Sequence, residues 1–447
     1  MANNIITRFA PSPTGYLHIG GARSALFNYI FTKQNAGKII LRIEDTDQDR
    51  NKDEYTKGII EAFDWLSIKF DKIHKQSENF PVHRKYLEKL IASGHAYISR
   101  EDVKEEGLRS EVVRFKNENK DIIINDLIKG DVKFNTTELN DFVIAKSLDE
   151  PIFHLSNVVD DIISGVTHII RGEEHLSNTP RQILIWEAIG EVPRPAYGHI
   201  PLILSEQKEK ISKRKHGEIV SVEYYKRNGY LPEALLNFLA LLGWNPGGDA
   251  EILSIDDMIS KFSLKKVQKA GAIFNQEKLL WFNRQYLRKL GESEFIERAL
   301  SFLPEWLSTR DDIFKRLLPL LRDKTYKFSD LTQLFIAGNE LFFVKELPEY
   351  ESNMLLWKKM PNKKIAHEHL LKVIDFFDGI DENDFATDNI RNVIWSYAEE
   401  KGRGDVLWPL RVALTGQERS PDPFMSAYIL GKTESIARIQ KACAKLE

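Results

Sequence analysis

The chain of 447 residues holds a single cysteine, Cys443. A disulfide within one chain is therefore excluded, as is any zinc site built from several cysteines, so no protein-bound zinc is expected. That usage fits a reducing, cytoplasmic setting. No apolar run approaches the roughly 20 residues of a membrane-spanning helix. The start, Met1-Ala2-Asn3-Asn4-Ile5-Ile6, lacks the basic and apolar segments of a secretion signal. Charge of one sign is missing too: 63 Lys and Arg stand against 66 Asp and Glu, a formal net of −3. That total neither supports nor excludes a nucleic-acid partner, because local patches decide such binding. Repeats and low-complexity tracts are absent. What remains is 42% hydrophobic and 29% charged residues, in a chain long enough for about two to four domains.

The pattern along the chain predicts a parallel sheet. Asn4–Phe9 is a short β-rich run. From Gly20, the apolar positions Ala22, Ala25, Leu26, Tyr29 and Ile30 keep a helical period that Gly37 stops. Lys38–Ile43 is a second strand, so the unit is βαβ with a right-handed crossover. Ligands on such sheets sit beyond the carboxyl ends of the strands, where both Arg8–Gly21 and Glu44–Asp47 begin. The segment from Ser99 to Lys146 opens with charges (100–106). It then turns strand-like at Glu111–Phe115, Ile122–Ile124 and Asp131–Phe134, and reads as an insertion packed on the sheet. The parallel pattern is predicted to return with strands at Phe153–Val159 and Thr167–Ile170, and a helix at Thr179–Ile189. Beyond Tyr224 the period is helical. Pro232 and Gly243 bracket one such helix, and Asp381–Asp384 is a break between later ones.

Four constellations can carry chemistry. In His18-Ile19-Gly20-Gly21, glycines let backbone approach a ligand and backbone amides at a helix start attract anions. A lone H-x-G-G is usually a surface turn, but the preceding strand and Pro11-Ser12-Pro13-Thr14-Gly15 fix this loop. In Lys208–Lys215, five of eight residues are basic. Lys210 and Lys213 there can neutralise charge on a triphosphate, although most such runs are solvated loops. Glu44-Asp45-Thr46-Asp47 can bind Mg²⁺ or an amino group, or cap the next helix. Function is favoured for Glu44 and capping for Asp47. Arg171, at a strand end, can take a carboxylate bidentately or merely pair with Glu173 or Glu174 on the surface.

Arg8–Gly21 taken with Lys210–Arg214 resembles the two signature motifs of class I aminoacyl-tRNA synthetases. Further stretches are similar to the bacterial-type glutamyl-tRNA synthetases in particular: Leu41–Asp47, Asn157–Asp161, Val166–Glu173, Gly229–Trp244, Phe274-Asn275 with Lys278–Trp281, and Leu410–Gly416. The resemblance runs almost end to end. It implies a Rossmann-like α/β class I catalytic domain (1–98 and 147–220) with a short inserted acceptor-end subdomain (99–146). A stem-contact helical region (221–300) and an all-α anticodon-binding region in two parts (301–380 and 381–447) would follow. Related enzymes with β-barrels in that last third fit less well, as does the shorter relative that modifies a tRNA base.

The implied reaction activates L-glutamate with ATP to glutamyl-adenylate and transfers it to the 3′ end of tRNA(Glu), with tRNA(Gln) as a second acceptor to be tested. Mg²⁺ would be carried by the nucleotide, with no metal held by the protein, and bound tRNA would be needed for the first step. The resemblance assigns His18, Lys210 and Lys213 to catalysis. It assigns Pro11, His18, Gly20, Gly21, Lys213 and Arg214 to ATP, and Arg8, Ser12, Glu44, Phe153, Asn157 and Arg171 to glutamate. Gly21 ends the first motif where the general class I signature has histidine. Phe153 stands where the family usually has tyrosine, and the insertion is short. A monomer is expected, with no membrane partner. The competing expectation is a catalytically weak or silent tRNA-binding paralogue.

Overall fold

In the computed structural model, which describes residues 5–46, 51–101, 111–357 and 362–447, the chain divides into two units, Met1–Tyr286 and Leu287–Glu447. The first is organised by parallel strands. β1 (Ile6–Phe9) leads through α1 (Ile19–Gln34) to β2 (Lys38–Ile43), and β2 through α2 (Asp53–Trp65) to β3 (Lys72–Lys75). Both strand pairs are parallel. α1 is buried almost all round, so its polar residues need internal partners. Asn28 Nδ2 donates to the carbonyls of Ser24 and Ile170, and the Thr32 and Thr7 hydroxyls meet at 2.6 Å. Gly37 is required by close approach, since a Cβ there would lie 2.3 Å from the Ile5 carbonyl oxygen.

After α3 (Phe80–Ala92) come β4 (Ala96–Arg100), β5 (Glu111–Phe115), the hairpin of β6 (Asp121–Asp126) and β7 (Gly130–Asn135), then β8 (Phe142–Ser147) and β9 (Glu150–Pro151). β4, β5, β8 and β9 form an antiparallel sheet in that order. This layer, running from Ala96 to Pro151, packs on the helices of the parallel unit. Val113, Phe115 and Ile144 share one apolar core with Leu87 and Leu90 of α3 and with Leu155, Val159, Ile183 and Trp186.

One expected strand is a helix. Phe153–Val159 belongs to α4 (Phe153–Ile163). Its β-branched Val158 and Val159 favour strand, but both faces of the segment are buried, and helical hydrogen bonding satisfies the backbone within the element. β10 (His168–Gly172), α5 (Thr179–Ile189) and β11 (Ala196–Ile200) then form a second parallel βαβ unit. Its first strand comes up beside β1, where the Thr167 N–H donates to the Ile6 carbonyl at 2.9 Å. From β1 the chain winds one way to β2 and β3; on the other side lie β10 and β11. The carboxyl ends of β1 and β10 therefore flank the point where winding reverses, which is where such sheets open a crevice. Expected positions Asp47 and 102–106 lie outside the described residues.

β12 (Ile203–Leu204) precedes the basic segment, in which α6 (Lys213–His216) is a single turn. α7 (Val222–Arg227), α8 (Pro232–Leu241), α9 (Ile255–Lys261), β13 (Ala272–Ile273) and α10 (Gln276–Lys289) follow. Their apolar faces (Tyr225, Leu235, Leu239, Phe282) join the core of α1, which also holds Leu41 and Ile43 of β2. The second unit is helical: α11 (Glu292–Ala299), α12 (Asp312–Lys324), α13 (Ser329–Leu334), α14 (Lys363–Asp378), α15 (Thr387–Lys401), α16 (Arg403–Thr415), α17 (Pro423–Leu430) and α18 (Lys432–Leu446). Asp381–Asp384 lies in the turn between α14 and α15, and α14 packs on both α16 and α18. Buried Arg438 of α18 donates to the carbonyls of Phe343 and Leu414. Among the described residues no helix is long and apolar enough to cross a membrane.

Candidate active site

Two cavities open at the reversal point. The first, about 370 Å³, is lined by Arg8–Ser12, Thr14–His18, Glu44, Phe153, Asn157 and Arg171, among others. The second, about 310 Å³, is lined by Lys210–Lys213, Arg23 and Pro201–Ile203. His18, Gly20, Gly21, Ser24, Gly172 and Glu174 belong to both, so the start of α1 is a shared wall. The structure thus brings together most of the residues expected from sequence. Pro11 and Ser12 border only the first cavity, and Lys210 and Lys213 only the second of the two. Arg214 lines neither.

The floor of the first cavity is a buried charge cluster. Arg42 donates to Asp161 Oδ1 at 2.6 Å and to Glu44 Oε1 at 3.3 Å, and its Nε lies 3.8 Å from Asp160 Oδ2. Arg8 Nε reaches the same Asp161 at 3.2 Å. Burial works to lower Arg42, but Asp161, Glu44 and Asp160 together hold its guanidinium above the ordinary arginine range. Burial also works to lift Asp160. Hydrogen bonds from His83 and Gln76 and the charge of Arg42 outweigh it, so that carboxyl lies below the usual range. Glu44 goes the other way, because burial raises it despite Arg42 and Arg8. Its Oε1 is taken by Arg42 and by Asn157 Nδ2 at 2.6 Å, and its N–H donates to the Pro11 carbonyl at 2.9 Å. Asp45 is occupied structurally, accepting from the Ser77 N–H and hydroxyl.

Arg171 is different. It is buried, yet among the described residues it makes no ion pair, neither with Glu173 nor with Glu174. It donates instead to neutral groups: Thr179 Oγ1 at 3.0 Å, His199 Nε2 at 3.3 Å and the His175 carbonyl at 3.4 Å. Burial, with the positive charge of Arg8 nearby, brings it down to about 10. A buried guanidinium without an anion is costly, and this one borders a cavity that also exposes Arg8. The arrangement can take an anionic group, such as a carboxylate. Phe153 closes the same cavity, its ring 5.9 Å from that of His175. Burial and the charges of Arg171 and Arg8 push the His175 imidazole down to about 3.

At the shared wall His18 caps α1. Its Nδ1 accepts from the Gly20 N–H at 3.0 Å, which leaves the proton of a neutral ring on Nε2. Burial and then Lys210 push His18 down to about 4, so the ring is neutral at pH 7 and offers an uncharged donor. Lys210 and Lys213 make no ion pair among the described residues, in contrast to Lys215, which pairs with Glu209 at 2.7 Å. With the open amides of the α1 start, they make the second cavity anion-selective. Among the described residues no group of three or more His, Cys, Asp or Glu is placed to hold a metal ion.

Sequence reasoning placed no role on Arg42, Asp160 or Asp161, though it quoted all three within motifs. The contact that joins them spans 119 residues of chain. Nor did it single out Asp126, Thr179 or His199. No local signal marks them, because each acts only through a partner on another element.

Known proteins match this architecture. The family described as class I tRNA synthetases (E and Q), catalytic domain, matches residues 4–111 and 98–281, and an anticodon binding domain matches 294–443. The glutamate–tRNA ligase of Aquifex aeolicus is 38% identical, with 99% of this chain and 100% of that protein covered. That of Carboxydothermus hydrogenoformans is 39% identical over 97% and 98%. Among solved structures, a glutamate tRNA ligase from Elizabethkingia meningosepticum in complex with its amino acid superposes with a TM-score of 0.86 at 30% identity, covering both chains fully.

Proposed function

The chain belongs to the glutamate–tRNA ligases, and from that premise we propose that its two adjoining cavities take L-glutamate and ATP, respectively, ahead of transfer to tRNA(Glu). The observation that carries the assignment is Arg171, buried beside Arg8 with no anionic partner among the described residues. Glutamate brings two carboxylates and one ammonium. Arg8 and Arg171 answer the carboxylates. Glu44, its Oε1 fixed by Arg42 and Asn157, answers the ammonium with its other oxygen. ATP lies across the α1 start, its phosphates against His18 Nε2, Gly20, Gly21 and the two lysines.

An α-carboxylate oxygen of glutamate attacks the α-phosphorus of ATP. The bond to the pyrophosphate oxygen breaks, and the mixed anhydride forms. Negative charge grows on the leaving group, where Lys213 and Lys210 neutralise it; His18 donates to a phosphate oxygen without adding charge. The side chains break no covalent bond of their own, so their contribution is placement and field. Mg²⁺ would enter on the triphosphate and further neutralise its charge.

Pyrophosphate exchange should require glutamate, ATP and tRNA together. Replacing Lys213 with Ala should slow it by roughly 10²-fold, the usual loss for one transition-state donor. An undiminished rate in that variant sinks the role given to the basic segment. Parallel charging of tRNA(Glu) and tRNA(Gln) settles the breadth of acceptor use.

A further inference from the structure

Arg171 is held from behind by a chain of contacts that starts in the inserted layer. Arg171 and His199 are direct neighbours across the β10–β11 pairing. His199 is fully buried, and its ring stacks parallel to Tyr197 with centroids 6.2 Å apart. Its Nδ1 meets Asp126 Oδ2 at 2.6 Å, and its Nε2 receives Arg171 Nε at 3.3 Å and lies 3.1 Å from Thr179 Oγ1. Asp126 ends β6 in the insertion. Its carboxylate also accepts the backbone N–H of Ile128, Lys129 and His199, so it is itself locked in place.

The chemistry of this chain has one consistent reading. A carboxylate can only accept, so His199 Nδ1 carries a proton and donates it to Asp126. A neutral ring then presents a lone pair at Nε2, and that lone pair accepts Arg171 Nε–H. The Nε edge of the guanidinium is thereby fixed, and its Nη2 is turned to Thr179 and the His175 carbonyl. With the other tautomer, Nε2–H would face Arg171 N–H and the arrangement would collapse. Burial keeps His199 below its ordinary range, although Asp126 pulls it upward.

We propose that Asp126 and His199 are positioning residues for Arg171, through which the inserted layer sets the attitude of the guanidinium toward the carboxylate of glutamate. The proposal rests on Arg171 binding glutamate. Neither residue borders the two cavities, so each would act through Arg171.

The test is pyrophosphate exchange with the full-length enzyme and tRNA, varying glutamate and ATP separately, in Asp126→Asn, His199→Leu, His199→Gln and Arg171→Gln. Asp126→Asn and His199→Leu should raise the glutamate KM about tenfold, as for a lost hydrogen bond to a charged group, with the ATP KM within about twofold of wild type. His199→Gln retains an acceptor oxygen near Nε2 and should recover most of that loss. A merely structural role would move both KM values, or leave the Gln and Leu variants alike; either result overturns the relay, as does an unmoved glutamate KM in His199→Leu. Should Asp126→Asn fail to fold, the His199 pair still decides. Arg171→Gln separates the layers: if it leaves the glutamate KM unchanged, the underlying assignment falls. If it raises that KM and His199→Leu does not, only the relay falls.

Discussion

Replacing Arg42 with Met removes the central cation of a buried set in which two arginines, Arg8 and Arg42, face Glu44, Asp160 and Asp161. Arg42 is 1% exposed and its carboxylate partners 0–6%. Removing one member of a buried pair typically costs about 3–5 kcal/mol, because the partners stay behind without compensation. For a unit of the size of Met1–Tyr286 melting as one, the entropy of unfolding is about 0.6 kcal/mol per kelvin, so the midpoint should fall by about 5–8 °C. The pH dependence is more telling than the size. Without Arg42 the Glu44 carboxyl, already raised by burial, loses its chief counter-charge and rises further, and Asp160 loses part of what holds it down. Groups raised in this way destabilise the fold at neutral pH and relent as they take up protons. The deficit of Arg42→Met relative to wild type should therefore shrink on going from pH 7.5 to 5. Subtracting wild type at each pH removes contributions common to both proteins. Thermal unfolding followed by circular dichroism measures it. A deficit that stays equal or grows at pH 5 would mean that Arg42 acts through packing alone, and the electrostatic account of the cavity floor would be wrong.

Two further outcomes follow from the same site. Phe153→Tyr should lower the glutamate KM by about fivefold, the worth of one neutral hydrogen bond of about 1 kcal/mol, and an unmoved or raised KM refutes a substrate-facing position for that ring. Burial holds His18 and His154 down to about 4 and His175 to about 3, so each takes up a proton on unfolding across the interval from the ordinary 6.5 down to those values. Stability should fall as pH drops through that window and should fall less steeply in His154→Leu; a flat unfolding midpoint between pH 7 and 5 contradicts neutral burial of these rings.

The elements legible in sequence were those whose signals are local. The period of Ala22–Ile30, the β-rich Lys38–Ile43, and the helix Thr179–Ile189 with Gly190 in the left-handed conformation at its end needed no tertiary information. Phe153–Val159 was illegible because Phe153 and Leu155 alternate with polar His154 and Ser156 as in a strand, its valines pull the same way, and the helical period emerges only over the whole of α4. The site divided in the same way. His18, Gly20 and the basic segment stand in motifs, so their grouping was visible. The cluster around Arg42 and the chain from Asp126 to Arg171 exist only once a strand meets a helix 119 residues away, and two strands 73 residues apart meet each other. No spacing rule spans such gaps. The sequence marks what touches the ligand better than what holds those residues still.

The common wall of the two cavities has a consequence for affinity. A molecule that reaches into both at once surrenders its freedom of translation and rotation a single time, yet makes contacts in each. With glutamate and ATP placed as proposed, the glutamyl-adenylate would be such a molecule, and glutamate and ATP separately would not. The linked intermediate should outlast either reactant on the protein by orders of magnitude in residence time, without a covalent tether, while it waits for the ribose of a tRNA to arrive.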